Sequence, residues 1–380
     1  MSGAPRLVAV VTGARADFGL LEPVMRAIDA HDALDLRVLV AGAHLLPPAL
    51  TEREVARRWP IAARIPMQRP DETTRSADAA ALGRGVEGFA RAFADLRPGW
   101  VVVLGDRIEA FAAASAASVG GVALAHIHGG DRAEGVADEA MRHAITKLAH
   151  LHLPATRASA ERIERMGEDA DRIHVVGSPA LDDLAHREPL DEETWRALGS
   201  PEIALLLHPV GRSDDAEEAD ARAVLDGLAG ARVLALMPNH DPGRDGIVRA
   251  LGDAQREGRL VGVAEHLPRA TFLGLVRRLA HSGGALVGNS SAGLIEAAAL
   301  RAPVVDIGPR QGGRERAGNV VHAEAGDPEA IARAVIHVRE LDLRALEHPL
   351  GDGRAGPRIA RTLALVDPSD PSCTRKRNAY

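Results

Sequence analysis

Short apolar runs alternate with stretches of helical spacing along nearly the whole chain. Residues 7–11 form an apolar run ending in Thr12-Gly13, where a strand gives way to a loop. Residues 19–28 then carry apolar side chains at helical spacing, and 36–40 read as the next strand. Runs at 100–104 and 122–127 predict two further buried strands, separated by an Ala-rich helix over 108–118. An amphipathic helix over 138–148 and a strand over 173–176 close this first series. The stretch 188–200 breaks the rhythm: it is charged, carries Pro189 and has no strand pattern, so it reads as a linker. The alternation then restarts, with strands expected at 203–207, 233–237, 260–263, 285–287 and 304–307. Asp327-Pro328-Glu329 opens a helix with Pro near its first turn, and Gly356-Pro357 starts another. From Pro368 the chain is polar and is expected to lack order. No internal repeat is visible beyond the shared rhythm.

This pattern predicts an α/β protein with doubly wound parallel sheets in two domains. We place an N-terminal Rossmann-like domain at 1–187 and a second at 188–354. A C-terminal helix at 355–367 is expected to pack back on the first domain, followed by a disordered tail, 368–380. Two such domains are expected to face a cleft. Ligands of such sheets bind beyond the carboxyl ends of the strands, and most of the motifs below fall there.

Composition narrows the function classes. Of the 380 residues 46% are hydrophobic but only 2% aromatic, so Ala, Val and Leu must fill the core. That suits parallel strands covered on both faces by helices. The formal charge of −7, with no long basic run, argues against nucleic acid as a partner. No stretch approaches the roughly 20 apolar residues of a membrane span, so no membrane partner is expected. Residues 1–6 lead into a strand run rather than a secretory leader. Cys373 alone can form neither an intramolecular disulfide nor a cysteine zinc site, and a free thiol suits a reducing cytoplasm.

The candidate chemistry sits in the loops. Thr12-Gly13-Ala14-Arg15-Ala16-Asp17 lacks the three-glycine dinucleotide fingerprint, so no nicotinamide cofactor is expected. Arg15 can present a planar fork to a phosphate, while Asp17 reads equally well as a helix cap. Gly105-Asp106-Arg107 places an acid at a strand's carboxyl end. The next strand runs into His126-Ile127-His128-Gly129-Gly130-Asp131. Alternation predicts His126 and His128 on one face, with the glycines open to close approach. Asp138, Arg142 and His143 follow on the first turns of a helix; Asp138 reads also as a dipole charge and His143 as a core histidine. His126, His128 and Asp131 have a spacing that permits a metal, but such groupings are common by chance, and no metal is assigned.

In the second half, Gly288-Asn289-Ser290-Ser291 follows a strand and opens an apolar helix over 294–300. Backbone N–H groups and two hydroxyls there make an anion site, with helix capping as the plainer reading. Glu296 lies early in that helix, where it can reach a ribose. Arg310, Gln311 and Arg314 sit in a Gly-rich loop able to wrap a diphosphate. His208 and Asn239 end the first two strands of this half; ordinary loop chemistry explains them equally well.

Together the segments TGARADFGLL, LGDRIEAFAAA, HIHGGDRAEGVADEAMRHAITKLAHLHLPAT, VVGSPALDDL, PNHDPGRDGI, VGNSSAGLIEA and DIGPRQGGRERAGNVV resemble the hydrolysing UDP-N-acetylglucosamine 2-epimerases of sialic- and legionaminic-acid synthesis. They span almost the whole chain. The resemblance implies the GT-B fold, a UDP-sugar substrate, a homodimer and no cofactor. It implies elimination of UDP to a glycal, then water addition that leaves C2 inverted. It assigns acid/base chemistry to Asp106, His128, Asp131 and Asp138. Arg15, Arg107, Arg142, His143, His208, Asn239, Ser290, Ser291, Glu296, Arg310, Gln311 and Arg314 would hold the UDP-sugar.

The chain departs from the family pattern in places. His128 stands where non-hydrolysing relatives usually carry Glu, and Asp131 where the hydrolysing branch usually has Glu. Ala292 replaces a third serine, and His240 a common Ala. A non-hydrolysing epimerase, a GT-B glycosyltransferase and a nucleotide-sugar-binding protein without catalysis are the competing readings.

Overall fold

The computed structural model describes residues 4–47, 50–70, 74–132, 138–182, 184, 187–238, 243–265, 267–312, 316–377 and 379. The chain divides into two compact units, Met1–Asp182 with Gly353–Tyr380, and Asp183–Asp352.

The first unit is built on six strands: β1 (Arg6–Thr12), β2 (Leu34–Ala41), β3 (Ile61–Ile65), β4 (Trp100–Leu104), β5 (Leu124–Ile127) and β6 (Leu151–Leu153). Their order is β3-β2-β1-β4-β5-β6, and every pairing is parallel. The strand order reverses between β1 and β4, the position at which doubly wound sheets open a crevice. Alternation along β1 sends Val8 and Val10 to one face, against Phe18, Leu21 and Met25. Ala9 and Val11 go to the other, against Phe89 and Ala113. The helix Ile108–Val119 buries a run of alanines on that second face. Small side chains bring helix and sheet close, which explains how a core so poor in aromatics still fills.

The second unit repeats the plan with β7 (Ile203–Leu206), β8 (Val233–Leu236), β9 (Leu260–Ala264), β10 (Ala285–Gly288), β11 (Val304–Ile307) and β12 (Val320–Ala323). The order is β12-β11-β10-β7-β8-β9, again all parallel, so the reversal falls between β10 and β7. The charged linker stretch belongs to this unit, where the helix Glu192–Ala197 buries Trp195 with Arg278 over its ring.

Several expectations change. Residues 173–176 form no strand: Ile173 makes a single bridge to His152, and the sheet edge is the shorter β6. The helix expected over 294–300 is interrupted at Ile295, giving Ser291–Leu294 and Glu296–Ala299. The C-terminal helix Ala355–Leu365 lies against the first helix, Arg15–Asp29, and Ile359, Ala360 and Leu363 enter its core. Asp182 caps it by accepting the N–H groups of Ala355 and Gly356 at 2.8 and 2.6 Å.

The polar tail is packed rather than disordered. Cys373 is buried within the short helix Pro371–Thr374, and the Ala379 N–H bonds to the Gly167 carbonyl. The reason is electrostatic. The buried Glu168 carboxylate is ion-paired to Lys376 at 2.6 Å and Lys147 at 2.5 Å, and accepts from His152 at 2.9 Å. Burial alone would raise its pKa, but His152, Lys147 and Lys376 outweigh that and hold it down at about 2. A charge this deep needs its partners, and the tail supplies one.

Candidate active site

In the first unit the chemistry gathers beyond the ends of β1, β4 and β5. The loop after β1 is organised by Asp17, which accepts from the Gly13 and Ala14 N–H groups at 2.8 and 2.9 Å and from the Thr12 hydroxyl at 3.0 Å. Burial nevertheless raises its carboxyl above the ordinary range. Asp17 therefore does the capping, and Arg15 stands exposed, 3.5 Å from Glu54. Gly13 is needed because a Cβ there would meet the Glu109 stem at 2.6 Å.

Beyond β4, Asp106 forms an ion pair with Arg142 of the helix Asp138–Leu148. Arg107 lies 3.3 Å from Glu109, which is itself buried. Beyond β5 the alternation argument fails. The strand ends at Ile127, and His128 takes a left-handed conformation, φ 62°. A non-glycine residue there is strained and needs support from its neighbours. His128 has it on both ring nitrogens: Nδ1 lies 2.6 Å from Asp131 Oδ2, and Nε2 lies 3.0 Å from Ser178 Oγ. Asp131 also accepts from the Ser159 hydroxyl at 2.7 Å. Burial pushes the Asp131 carboxyl up, but the charge and hydrogen bond of His128, with Ser159 and Arg142, outweigh it and hold the pKa below the ordinary value. Asp131 is thus an anion that accepts from His128 Nδ1, with Nε2 left facing Ser178.

His126 points elsewhere, to the carbonyl of Gly105 at 2.8 Å. The two histidines do not share a face, and among the described residues no cluster has the makings of a metal site. The glycine pair also serves the protein itself. A Cβ on Gly129 would meet His126 Nδ1 at 2.9 Å, and one on Gly130 would meet Ile163 at 2.8 Å.

His143 lies 3.5 Å from Glu139. Asp138 opens its helix, but its side chain lies outside the described structure. Ser178 and Ser159 were not singled out from the sequence. Ser178 sits in the motif VVGSPALDDL, and Gly-Ser-Pro there was the available signal.

In the second unit, Asn289 organises the switch point after β10. Its Oδ1 accepts from the His208 N–H and its Nδ2 donates to the His208 carbonyl, both at 2.7 Å. Its own carbonyl accepts from Gln311 Nε2 at 2.8 Å and Arg310 Nη1 at 3.2 Å. The loops carrying His208, Ser290, Arg310 and Gln311 are so brought together on one residue that sequence reasoning passed over. Ser290 caps the short helix it precedes, accepting from the Ala292 N–H at 3.4 Å, and Ser291 is that helix's first residue. Glu296 pairs with Arg269 at 3.0 Å.

Beside this cluster lies a cavity of about 360 Å³, lined by residues that include Val210, Glu217, Asn289, Gly308, Pro309 and Glu324. Glu217 is buried and shapes its rim by accepting the Val210 and Arg212 N–H groups at 2.9 and 3.2 Å. Asn239, His240 and Arg314 lie outside the described residues.

Two six-stranded, doubly wound parallel units of this kind constitute the GT-B type of fold. The UDP-N-acetylglucosamine 2-epimerase family matches residues 26–364, and the chain belongs to that family. It is 33% identical over 99% of its length, and 100% of the relative's, to the UDP-N,N'-diacetylbacillosamine 2-epimerase (hydrolyzing) of Legionella pneumophila. It is 31% identical to the UDP-N-acetylglucosamine 2-epimerase of Neisseria meningitidis serogroup B, over 83% of each chain. Among solved structures it resembles the UDP-GlcNAc 2-epimerase from Neisseria meningitidis bound to UDP-GlcNAc, with a TM-score of 0.75 and 18% identity. That match covers 94% of this chain and 99% of the other. Among the described residues no helix is long and apolar enough to cross a membrane.

Proposed function

We propose that this protein is a hydrolysing UDP-sugar 2-epimerase. Its substrate is UDP-N-acetylglucosamine or a 2,4-diacetamido-6-deoxy relative, and its products are UDP and an N-acetylmannosamine-type sugar. The observation that carries the reading is the juxtaposition beyond two paired strands. Asp106 with Arg142 follows β4, and the His128–Asp131 pair follows its neighbour β5. Inverting C2 requires proton removal on one face and proton return on the other, and so two acid/base centres.

In this reading Asp106 removes the C2 proton as the C1–O bond breaks and UDP departs, leaving a glycal. Water then adds across the double bond: its oxygen joins C1, the proton it gives up passes to His128 Nε2, and Nε2 delivers a proton to C2 on the opposite face, while the proton taken by Asp106 goes to solvent. Asp131 keeps His128 in the tautomer that presents Nε2 for proton transfer, with Ser178 as its resting partner. Arg142 holds Asp106 in place. In the second unit the Asn289 cluster and the adjoining cavity receive the nucleotide, with Arg310 and the Ser290 helix start turned to phosphate chemistry. Two supports favour hydrolysis over return of UDP. One is full-length similarity to a relative named as hydrolyzing. The other is the HIHGGD…DEAMRHAITK segment.

A proton NMR time course in D₂O tests this, with UDP-N-acetylglucosamine and the diacetamido analogue in parallel. Free UDP plus a mannosamine-type sugar deuterated at C2 is expected from one of them. A UDP-linked epimer without free UDP would mean the non-hydrolysing reaction. Tight UDP binding with neither sugar consumed would mean a different nucleotide sugar as substrate, a transferase or a silent binding protein.

A further inference from the structure

His126 has no role in the chemistry above, yet it is completely buried at the base of the Asp106 loop. It pairs in register with Val103 of β4, just short of that loop. Its Nε2 lies 2.8 Å from the Gly105 carbonyl, the oxygen of the peptide that leads into Asp106. A carbonyl only accepts, so Nε2 carries the proton. Burial drives the ring's pKa down to about 3, so the imidazole stays neutral and Nδ1 is a bare acceptor. The buried Thr146 hydroxyl shares its single proton between that nitrogen, at 3.2 Å, and the carbonyl of Arg142, at 3.1 Å and one turn back on the same helix.

Gly105 sits at φ 75°, with open space where a side chain would be, so neighbouring side chains do not hold this turn. Two hydrogen bonds do: its N–H to the Ile127 carbonyl at 3.0 Å, and its carbonyl to His126. Thr146 then ties the imidazole to the helix that carries Arg142.

We infer that His126 is a positioning residue. Through Nε2–H it fixes the Gly105–Asp106 peptide, and through Thr146 it locks that peptide to the Arg142 helix, so that Asp106 and Arg142 stay in register. This rests on the reading of Asp106 as the group that works at C2. A displacement of about 1 Å at a reacting group costs on the order of 100-fold in rate. His126→Leu removes both hydrogen bonds, whereas His126→Gln places an amide N–H near the Nε2 position.

The test compares wild type, His126→Leu, His126→Gln and Thr146→Val for kcat, KM and UDP affinity, each checked for folding by circular dichroism. His126→Leu is expected to lose about 100-fold in kcat with KM within about twofold. His126→Gln should recover most of that loss. Thr146→Val, which deletes one hydroxyl and keeps the fold if His126→Leu does not, should lose about five- to tenfold in kcat. A folded His126→Leu enzyme with wild-type kcat, or a loss confined to KM and UDP affinity, would overturn the inference. The ¹⁵N shifts of the His126 ring supply an arm independent of turnover. A neutral Nε2–H tautomer from pH 8 to 5 is expected, and an Nδ1–H tautomer or a charged ring overturns the inference. Wild type that turns over no UDP-sugar would sink the functional reading instead, with the tautomer still deciding the hydrogen-bond assignment.

Discussion

Acid should destabilise this protein well above the carboxylate range, and the structure sets the size of the effect. His44, His126 and His150 are buried in the first unit. His44 is held between the Thr12 and Thr51 hydroxyls at 2.9 and 2.7 Å, and His150 Nδ1 accepts the Leu124 N–H at 3.0 Å. Burial lowers the pKa of His44 and His150 to about 4, and that of His126 to about 3, from 6.5. The folded pKa is depressed in each case. The stability they contribute is therefore present above 6.5 and is lost as pH falls toward the folded values, because only the unfolded chain takes up the proton. At pH 5 each histidine costs about 2 kcal/mol, and the three together about 6 kcal/mol, comparable with the whole stability of many domains. Asp131 and Glu168 are depressed too, but their losses begin only below their ordinary values of 3.8 and 4.5. The interval from pH 8 to 5 therefore isolates the histidines from these two.

Urea unfolding at half-unit steps across that interval measures the slope. Replacing His150 by Asn keeps an acceptor for the Leu124 N–H and removes one titrating group. The slope below pH 6 should then fall by about 1.4 kcal/mol per pH unit. Asp17 and Asp306, whose carboxyls burial raises, act with the opposite sign but are common to both proteins and cancel in the comparison. A His150→Asn slope equal to wild type would refute the reasoning.

Other outcomes follow from the same geometry. Asp106→Asn should keep UDP affinity, read by calorimetry, while turnover falls by on the order of 10³-fold; normal turnover removes Asp106 from the mechanism. Ser290→Ala combined with Arg310→Ala should weaken UDP binding at least about tenfold, and unchanged affinity would place the nucleotide elsewhere. Glu168→Gln leaves Lys147 and Lys376 without their buried counter-charge and should cost about 3 kcal/mol in urea unfolding at pH 7; a change below about 1 kcal/mol would mean the cluster is not what holds the tail.

The reading of the second unit depends on a residue whose importance lies in its position rather than its chemistry. Asn289 makes no reactive group, but it gathers the His208, Arg310 and Gln311 segments on its backbone and amide. Substituting it would disturb several binding groups at once. The paired residues named from the sequence are better single-site probes of the nucleotide.

What the sequence determined by itself was the α/β series and the strand ends that carry the candidate site residues. A central parallel strand is buried on both faces, so it appears as an apolar run; β1, β4, β7, β8 and β10 do so unbroken, while β5 and β11 are each interrupted by one polar residue, His126 and Asp306. The loop motifs after these runs carry their own glycines and acids, so Asp106, His128 and Asp131 could be named without coordinates. Of the four edge strands only β9 was legible. β3 and β12 are half exposed and carry polar residues, and β6 has only three residues, so none makes a long apolar run. Tertiary structure alone decided where the histidines point. Strand alternation holds only while the strand lasts, and β5 stops at Ile127. One residue later the backbone turns left-handed, sending His128 to Asp131 and Ser178 and leaving His126 beneath the Asp106 loop. The tail was likewise undecidable, because its order comes from Glu168, a buried charge about 200 residues away in sequence whose need for a partner no local pattern reveals.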